Sequence, residues 1–234
     1  MKIIIAILLL LSSAYPQYRG FSSYSGFKSY TNSSGEVDPY AAYFFAETFD
    51  ATGYDNTWAE TGTVDEDYTT TVLQGTQSLY IADGTAYTIH TLSDSLAELY
   101  VHFIFRSTDV SPASQTTIFS MRSGTTQIFY AQLRTTGVLR LYNGTTVVNG
   151  THTLSNDTAY NVWLYYKKGT GANGISTLWY STNGVKPGSA EISITNGNAV
   201  KEMGSLLFNN GDAANMNIIY DQLIINETNF TTVP

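Results

Sequence analysis

The 234 residues carry 19 acidic and 11 basic side chains, a formal charge of -8, and no cysteine. That balance excludes nucleic acid as a partner, because neutralising phosphates needs clustered Lys and Arg, and the missing thiols exclude disulfides, Cys-based zinc sites and thiol chemistry. Only 13% of residues are charged while 43% are hydrophobic, which describes an uncharged polar surface around a core sufficient for one all-β domain.

Residues 1–14 hold one Lys, the apolar run Ile3 to Leu11, and then Ser12, Ser13 and Ala14. This pattern predicts a signal peptide cut after Ala14, too short to cross a bilayer core of about 30 Å as a helix. The expected product is secreted or associated with the cell surface, with no transmembrane anchor. In the arm 15–42, aromatics fall at Tyr15, Tyr18, Phe21, Tyr24, Phe27 and Tyr30 among Ser- and Gly-rich spacers. A spacing of three aligns rings along a polyproline II helix. The arm is then either a sticky linker or a docking arm for self-association or for glycans.

Residues 43–228 read as a β-sandwich domain, and 229–234 as a C-terminal tail. Short runs rich in β-branched and aromatic residues predict twelve strands. They are Tyr43 to Phe49, Gln77 to Ala82, Glu98 to Arg106, Thr116 to Arg122, Gln127 to Arg134 and Gly137 to Tyr142. Thr145 to Val148, Tyr160 to Lys167, Ser176 to Ser181, Glu191 to Ile194, Ser205 to Phe208 and Met216 to Ile225 complete the set. Asn143-Gly144 predicts a two-residue type I′ hairpin turn, and Asn183-Gly184 marks a second turn. In Glu98 to Arg106, alternation sends Leu99, Val101, Phe103 and Phe105 inward and presents Tyr100, His102 and Arg106 on the outside of a sheet. Such neighbouring hydrogen-bonding groups suit sugar recognition.

Trp58, read as part of a loop, is the best aromatic candidate for a ligand, whereas Trp163 and Trp179 lie in strands and are expected inside. His90, His102 and His152 lack metal-ligand spacing, so zinc is not expected. Asp65-Glu66-Asp67 reads as a solvated loop because of its Thr- and Gly-rich flanks, and not as a hydrolase pair, since adjacent residues point to opposite faces. N-glycosylation sequons begin at Asn32, Asn143, Asn149, Asn156, Asn226 and Asn229.

Phe49 to Trp58, Gly62 to Tyr68 and Gly75 to Ile81, followed by Glu98 to Arg106, Tyr160 to Lys167 and Tyr220 to Ile225, resemble the ordered parts of concanavalin A-like, laminin G-like domains. The resemblance covers about residues 43 to 226 and implies an antiparallel jelly-roll sandwich of two sheets, one concave, that binds carbohydrate or protein. It also implies a structural calcium, for which Asp221 on the closing strand and Glu47 and Asp50 near the first would be the acidic ligands. Glycoside hydrolases of this group carry paired acids on one strand. That pair is missing here, as is a Gly-x-Ser-x-Gly elbow, so an enzyme is not expected. The expected function is a non-catalytic extracellular module binding carbohydrate or a glycosylated surface through Trp58, Tyr100, His102 and Arg106. The alternatives are a structural subunit of a fibre or coat assembled through the arm, and, less favoured, a glycoside hydrolase.

Overall fold

The computed structural model describes residues 43–50, 53–54, 56–82, 84–210 and 216–230. The expected signal peptide, the aromatic arm 15–42, Asn32 and residues 231–234 of the expected tail lie outside the described residues. Those described contain fifteen strands: β1 (Phe45–Glu47), β2 (Trp58–Thr61), β3 (Val64–Tyr68), β4 (Ser78–Ile81), β5 (Ala86–Leu96), β6 (Glu98–Ser107), β7 (Thr116–Ser123), β8 (Thr126–Leu133), β9 (Val138–Asn143), β10 (Thr146–Thr153), β11 (Tyr160–Lys167), β12 (Gly174–Ser181), β13 (Ile192–Gly197), β14 (Met203–Asn210) and β15 (Ile218–Asn226). No helix among the described residues is long and apolar enough to cross a membrane.

The strands form two antiparallel sheets. One runs β13-β12-β11-β6-β15-β4-β3, with β1 added beside β15 to make eight strands, and the other runs β10-β9-β8-β7-β14-β5-β2. This is the expected jelly-roll sandwich. The core lies between the sheets because each strand contributes every second residue to it. Leu99, Val101, Phe103 and Phe105 of β6 point inward as predicted, opposite Phe119, Phe129 and Phe208 of the other sheet. Tyr220 on β15 also crosses the gap, its hydroxyl donating to the carbonyls of Ile118 at 2.7 Å and Asn209 at 2.9 Å.

Each of the twelve expected strands overlaps an observed one, and β2, β3 and β5 are additions. β5 escapes sequence patterning because Thr88 and His90 occupy inward positions between Ala86 and Leu92, which dilutes the apolar alternation. Asp65-Glu66-Asp67, expected as a loop, belongs to β3. That strand ends its sheet and has a register shift between Asp65 and Tyr68, so its charges stay at a solvated edge. Trp58 likewise begins a strand, β2, at the end of the second sheet. The hairpin between β9 and β10 turns one residue later than predicted. Asn143 pairs with Thr146, leaving Gly144 and Thr145 as the loop, and Gly144 alone supplies the positive φ of 63°.

Candidate functional site

The outer face of the eight-stranded sheet carries the recognition surface expected from β6. Register sets Trp179, Trp163, His102 and Ile224 in one row, and Thr177, Tyr165, Tyr100 and Asn226 in the next. His102 is not available there. It is fully buried, its Nε2 lies 3.0 Å from Asn161 Oδ1, and its ring packs against Trp163 at 5.0 Å. Burial pushes its pKa down to about 4, against hydrogen bonds to Asn161 and the Gln222 backbone that would raise it. Arg106 is also committed, donating through Nε to the Asp157 carbonyl at 3.0 Å and through an η nitrogen to its carboxylate at 2.6 Å. Tyr100 stacks on Tyr165 at 4.6 Å.

The connection from β12 to β13 lies over this face. Lys186 sits 3.8 Å from the Trp179 ring centroid and 5.6 Å from that of Tyr100, and donates to Asn229 at 2.9 Å. Trp163 is buried, but on this outer side, and Trp179 is only half-buried beneath the lysine. Trp163 is therefore buried as expected, whereas Trp179 is more exposed than expected. The predicted surface is thus largely roofed by the protein's own side chains.

Trp58 stands apart from these residues. Half-buried, it stacks on Tyr54 and Phe208 and donates through Nε1 to Glu47 Oε2 at 2.9 Å. It lines a groove of about 660 Å³ with Phe45, Tyr54 and His90. Glu47 Oε2 also accepts from the Asn56 backbone and side chain, both at 3.1 Å. That carboxylate fastens the Asn56–Trp58 segment to β1.

Asp50 and Asp221 do converge, on the segment 73–78. Asp221 Oδ2 accepts from Gln74 N and Ser78 Oγ, each at 2.8 Å, while Asp50 Oδ1 accepts from Thr76 N at 2.6 Å. Burial raises the Asp221 pKa to about 7, opposed by its three hydrogen-bond donors and reinforced by the nearby Asp50 charge. The two carboxylates thus hold the segment 73–78 through N–H and O–H donors. Among the described residues no group of three or more His, Asp or Glu is arranged to hold a metal.

The sequons differ in access. Asn143 is fully buried, donating to Ser176 Oγ at 2.5 Å and accepting from Ala199 N at 3.0 Å, which leaves no room for a glycan. Asn149, Asn156 and Asn229 are exposed and Asn226 is half-exposed.

The outer face of the seven-stranded sheet was not singled out by sequence reasoning. Register assembles Ile89, Leu207, Ser120, Tyr130, Tyr142 and Val147 into one row across β5, β14, β7, β8, β9 and β10. On one side of it lie Thr117, Gln132, Arg140 and Asn149, and on the other Ser205, Arg122 and Gln127. Tyr130 and Tyr142 stack at 4.1 Å with only 13° between their planes. Arg140 is held by three neutral groups: it donates to Asn149 Oδ1 at 2.7 Å, to Tyr142 Oη at 3.1 Å and to Gln115 Oε1. Gln132 donates to Thr117 Oγ1 at 3.2 Å. The local signal was the alternation in Tyr130-Ala131-Gln132-Leu133 and Leu139-Arg140-Leu141-Tyr142. Its meaning needed the cross-strand register.

No family model and no curated protein matches the chain. Solved structures do. An endo-β-1,4-glucuronan lyase from the fungus Trichoderma reesei aligns with 80% of this chain and 96% of its own, at 14% identity and a TM-score of 0.56. The receptor binding domain of botulinum neurotoxin mosaic serotype C/D aligns with 81% of this chain and 48% of its own, at 12% identity and a TM-score of 0.60. A botulinum neurotoxin type C structure, described with cell entry dependent on two ganglioside molecules, aligns with 79% and 48%, at 12% identity and a TM-score of 0.57. The chain spans about half the length of the two toxin structures and nearly all of the lyase. At these identities the likeness is one of fold, and the shared fold is a jelly-roll sandwich.

Proposed function

We propose that the protein is a secreted, non-catalytic carbohydrate-binding module that holds its ligand on the outer face of the seven-stranded sheet. The observation that carries this reading is the Tyr130–Tyr142 stack, two half-buried rings lying face to face at 4.1 Å between centroids, set among outward Gln132, Arg140 and Thr117. A sugar offers an apolar ring face and a belt of hydroxyls. The rings suit the first, and the amide, guanidinium and hydroxyl groups suit the second. The ganglioside dependence described for the type C toxin supports the reading, because a sandwich of the same fold serves a glycan-directed protein there. Secretion rests on the apolar leader in residues 1–14.

The likeness to a glucuronan lyase favours a second reading, polysaccharide cleavage. Elimination beside a sugar carboxylate needs a base within reach of the adjacent C–H. Among the described residues, the outward positions that register assigns on β7, β8, β9 and β14 hold no His, Asp or Glu. Tyr130 is a poor substitute, since burial first and the neighbouring Tyr142 second push its pKa up, against Arg140.

The test is a glycan array followed by calorimetry on the purified protein and Tyr142→Ala. Binding by the parent, weakened several-fold in the variant as expected for loss of a stacking contact of about 1 kcal/mol, with no unsaturated product from glucuronan, supports the module. Folded protein that binds no glycan above background removes it. Accumulation of unsaturated sugar puts the second reading in its place.

A further inference from the structure

We infer that the saccharide this face takes is acidic, with Arg122, Arg134 and Arg140 receiving its carboxylates; this rests on the face being a carbohydrate site. The chain has five arginines and a net charge of -8, yet Arg122 and Arg140 lie on β7 and β9 of one sheet and Arg134 directly after β8. Arg122 and Arg140 point outward by register, and Arg134 follows β8 directly in the same outward phase as Tyr130 and Gln132. No acid occupies an outward strand position there. The ion pairs among the described residues use Arg106, His152, Lys167 and Lys168, never these three.

A guanidinium near its own carboxylates is neutralised by them, whereas one held by neutral acceptors keeps its charge for a ligand. Arg140 is of the second kind, oriented by Asn149, Gln115 and Tyr142. The Nε atoms of Arg122 and Arg134 are buried and have no hydrogen-bond partner, a state that a ligand oxygen would relieve. Strand geometry places Arg134 about 8 Å from Arg140 at one end of the face and Arg122 about 16 Å away at the other, measured between backbones. The Tyr130–Tyr142 stack lies between them. Cationic receivers at both ends of an aromatic pair fit a short run of sugars bearing carboxylates. Bidentate N–H donors match a carboxylate's two oxygens, and the intervening Gln132 and Thr117 match uncharged hydroxyls. A nucleic acid strand, whose phosphates would meet the same arginines, is the competing occupant that the oligonucleotide arm of the test separates.

The experiment uses full-length protein made in a bacterial host, so that Asn149 beside Arg140 carries no glycan. Polyglucuronate, polygalacturonate and sialyllactose are titrated against their carboxyl-reduced counterparts, and a single-stranded oligonucleotide serves as competitor. Arg122→Gln and Arg140→Gln are compared with Lys201→Gln, an exposed control outside this face, after circular dichroism has shown each to be folded. Expected are binding of at least one acidic saccharide, loss on carboxyl reduction, about tenfold or greater weakening in each arginine variant, and no change in the control. Binding of neutral glycans alone overturns the inference while leaving the carbohydrate module intact. Binding of no glycan overturns both. Acidic binding unaffected by either arginine variant, or oligonucleotide binding of equal strength, overturns the assignment of ligand to this face.

Discussion

His102 lies where alternation puts it, on the outward side of β6, and is nevertheless dry, because Trp163 packs across it and Asn161 occupies its Nε2. Its folded pKa of about 4 lies below the ordinary 6.5. Between those values the unfolded chain binds a proton that the folded one excludes, so stability falls as pH drops from about 6.5 to about 4. The full shift is worth about 3 kcal/mol at 1.36 kcal/mol per pH unit. Urea unfolding at pH 7.5 and pH 4.5 should show the parent losing about 2 kcal/mol more than His102→Gln over that interval. Equal losses would mean that the ring is solvated or charged in the folded protein.

The β9–β10 hairpin shows how an element is set by more than its turn dipeptide. Asn-Gly favours a type I′ turn when both residues are free to take positive φ. Here the Asn143 amide is drawn inward to Ser176 and Ala199, so it remains the last residue of β9 and Gly144-Thr145 become the loop. Asn143→Ala would strand a buried hydroxyl and a buried N–H, at a cost of about 2 to 3 kcal/mol, readable as a lower unfolding midpoint. The same burial predicts that peptide mapping of protein from a glycosylating host finds Asn143 unmodified. A glycan on Asn143 in folded protein would contradict the packing.

Across the whole molecule, the two sheets are joined by apolar packing and by polar fastenings that cross it. The Tyr220 hydroxyl reaches two carbonyls of the opposite sheet, at 2.7 Å and 2.9 Å, and the Tyr166 hydroxyl reaches Lys201 O ahead of β14 at 2.9 Å. Tyr220→Phe keeps the ring and removes both bonds, leaving two buried carbonyls without this partner. A loss of about 1 to 3 kcal/mol in chemical unfolding is expected. An unchanged midpoint would show that the bond is not formed in solution. The same division into sheets separates charge: acids concentrate on edges and loops, as in β3, while one sheet face keeps its arginines without carboxylate neighbours.

The sequence by itself determined the class of fold, because side-chain alternation with a period of two is a local property and survives in Leu99, Val101, Phe103 and Phe105 without knowledge of any partner strand. It also made β8 and β9 legible as strands. It did not determine which outer face stays open. Lys186 lies beside Tyr100, Trp163 buries His102 and Asp157 pairs with Arg106, and all three partners come more than fifty residues further along. Tyr130, Tyr142 and Arg140 became a surface because strand register brought them into line. Both outcomes depend on contacts between distant segments, which only the tertiary structure decides.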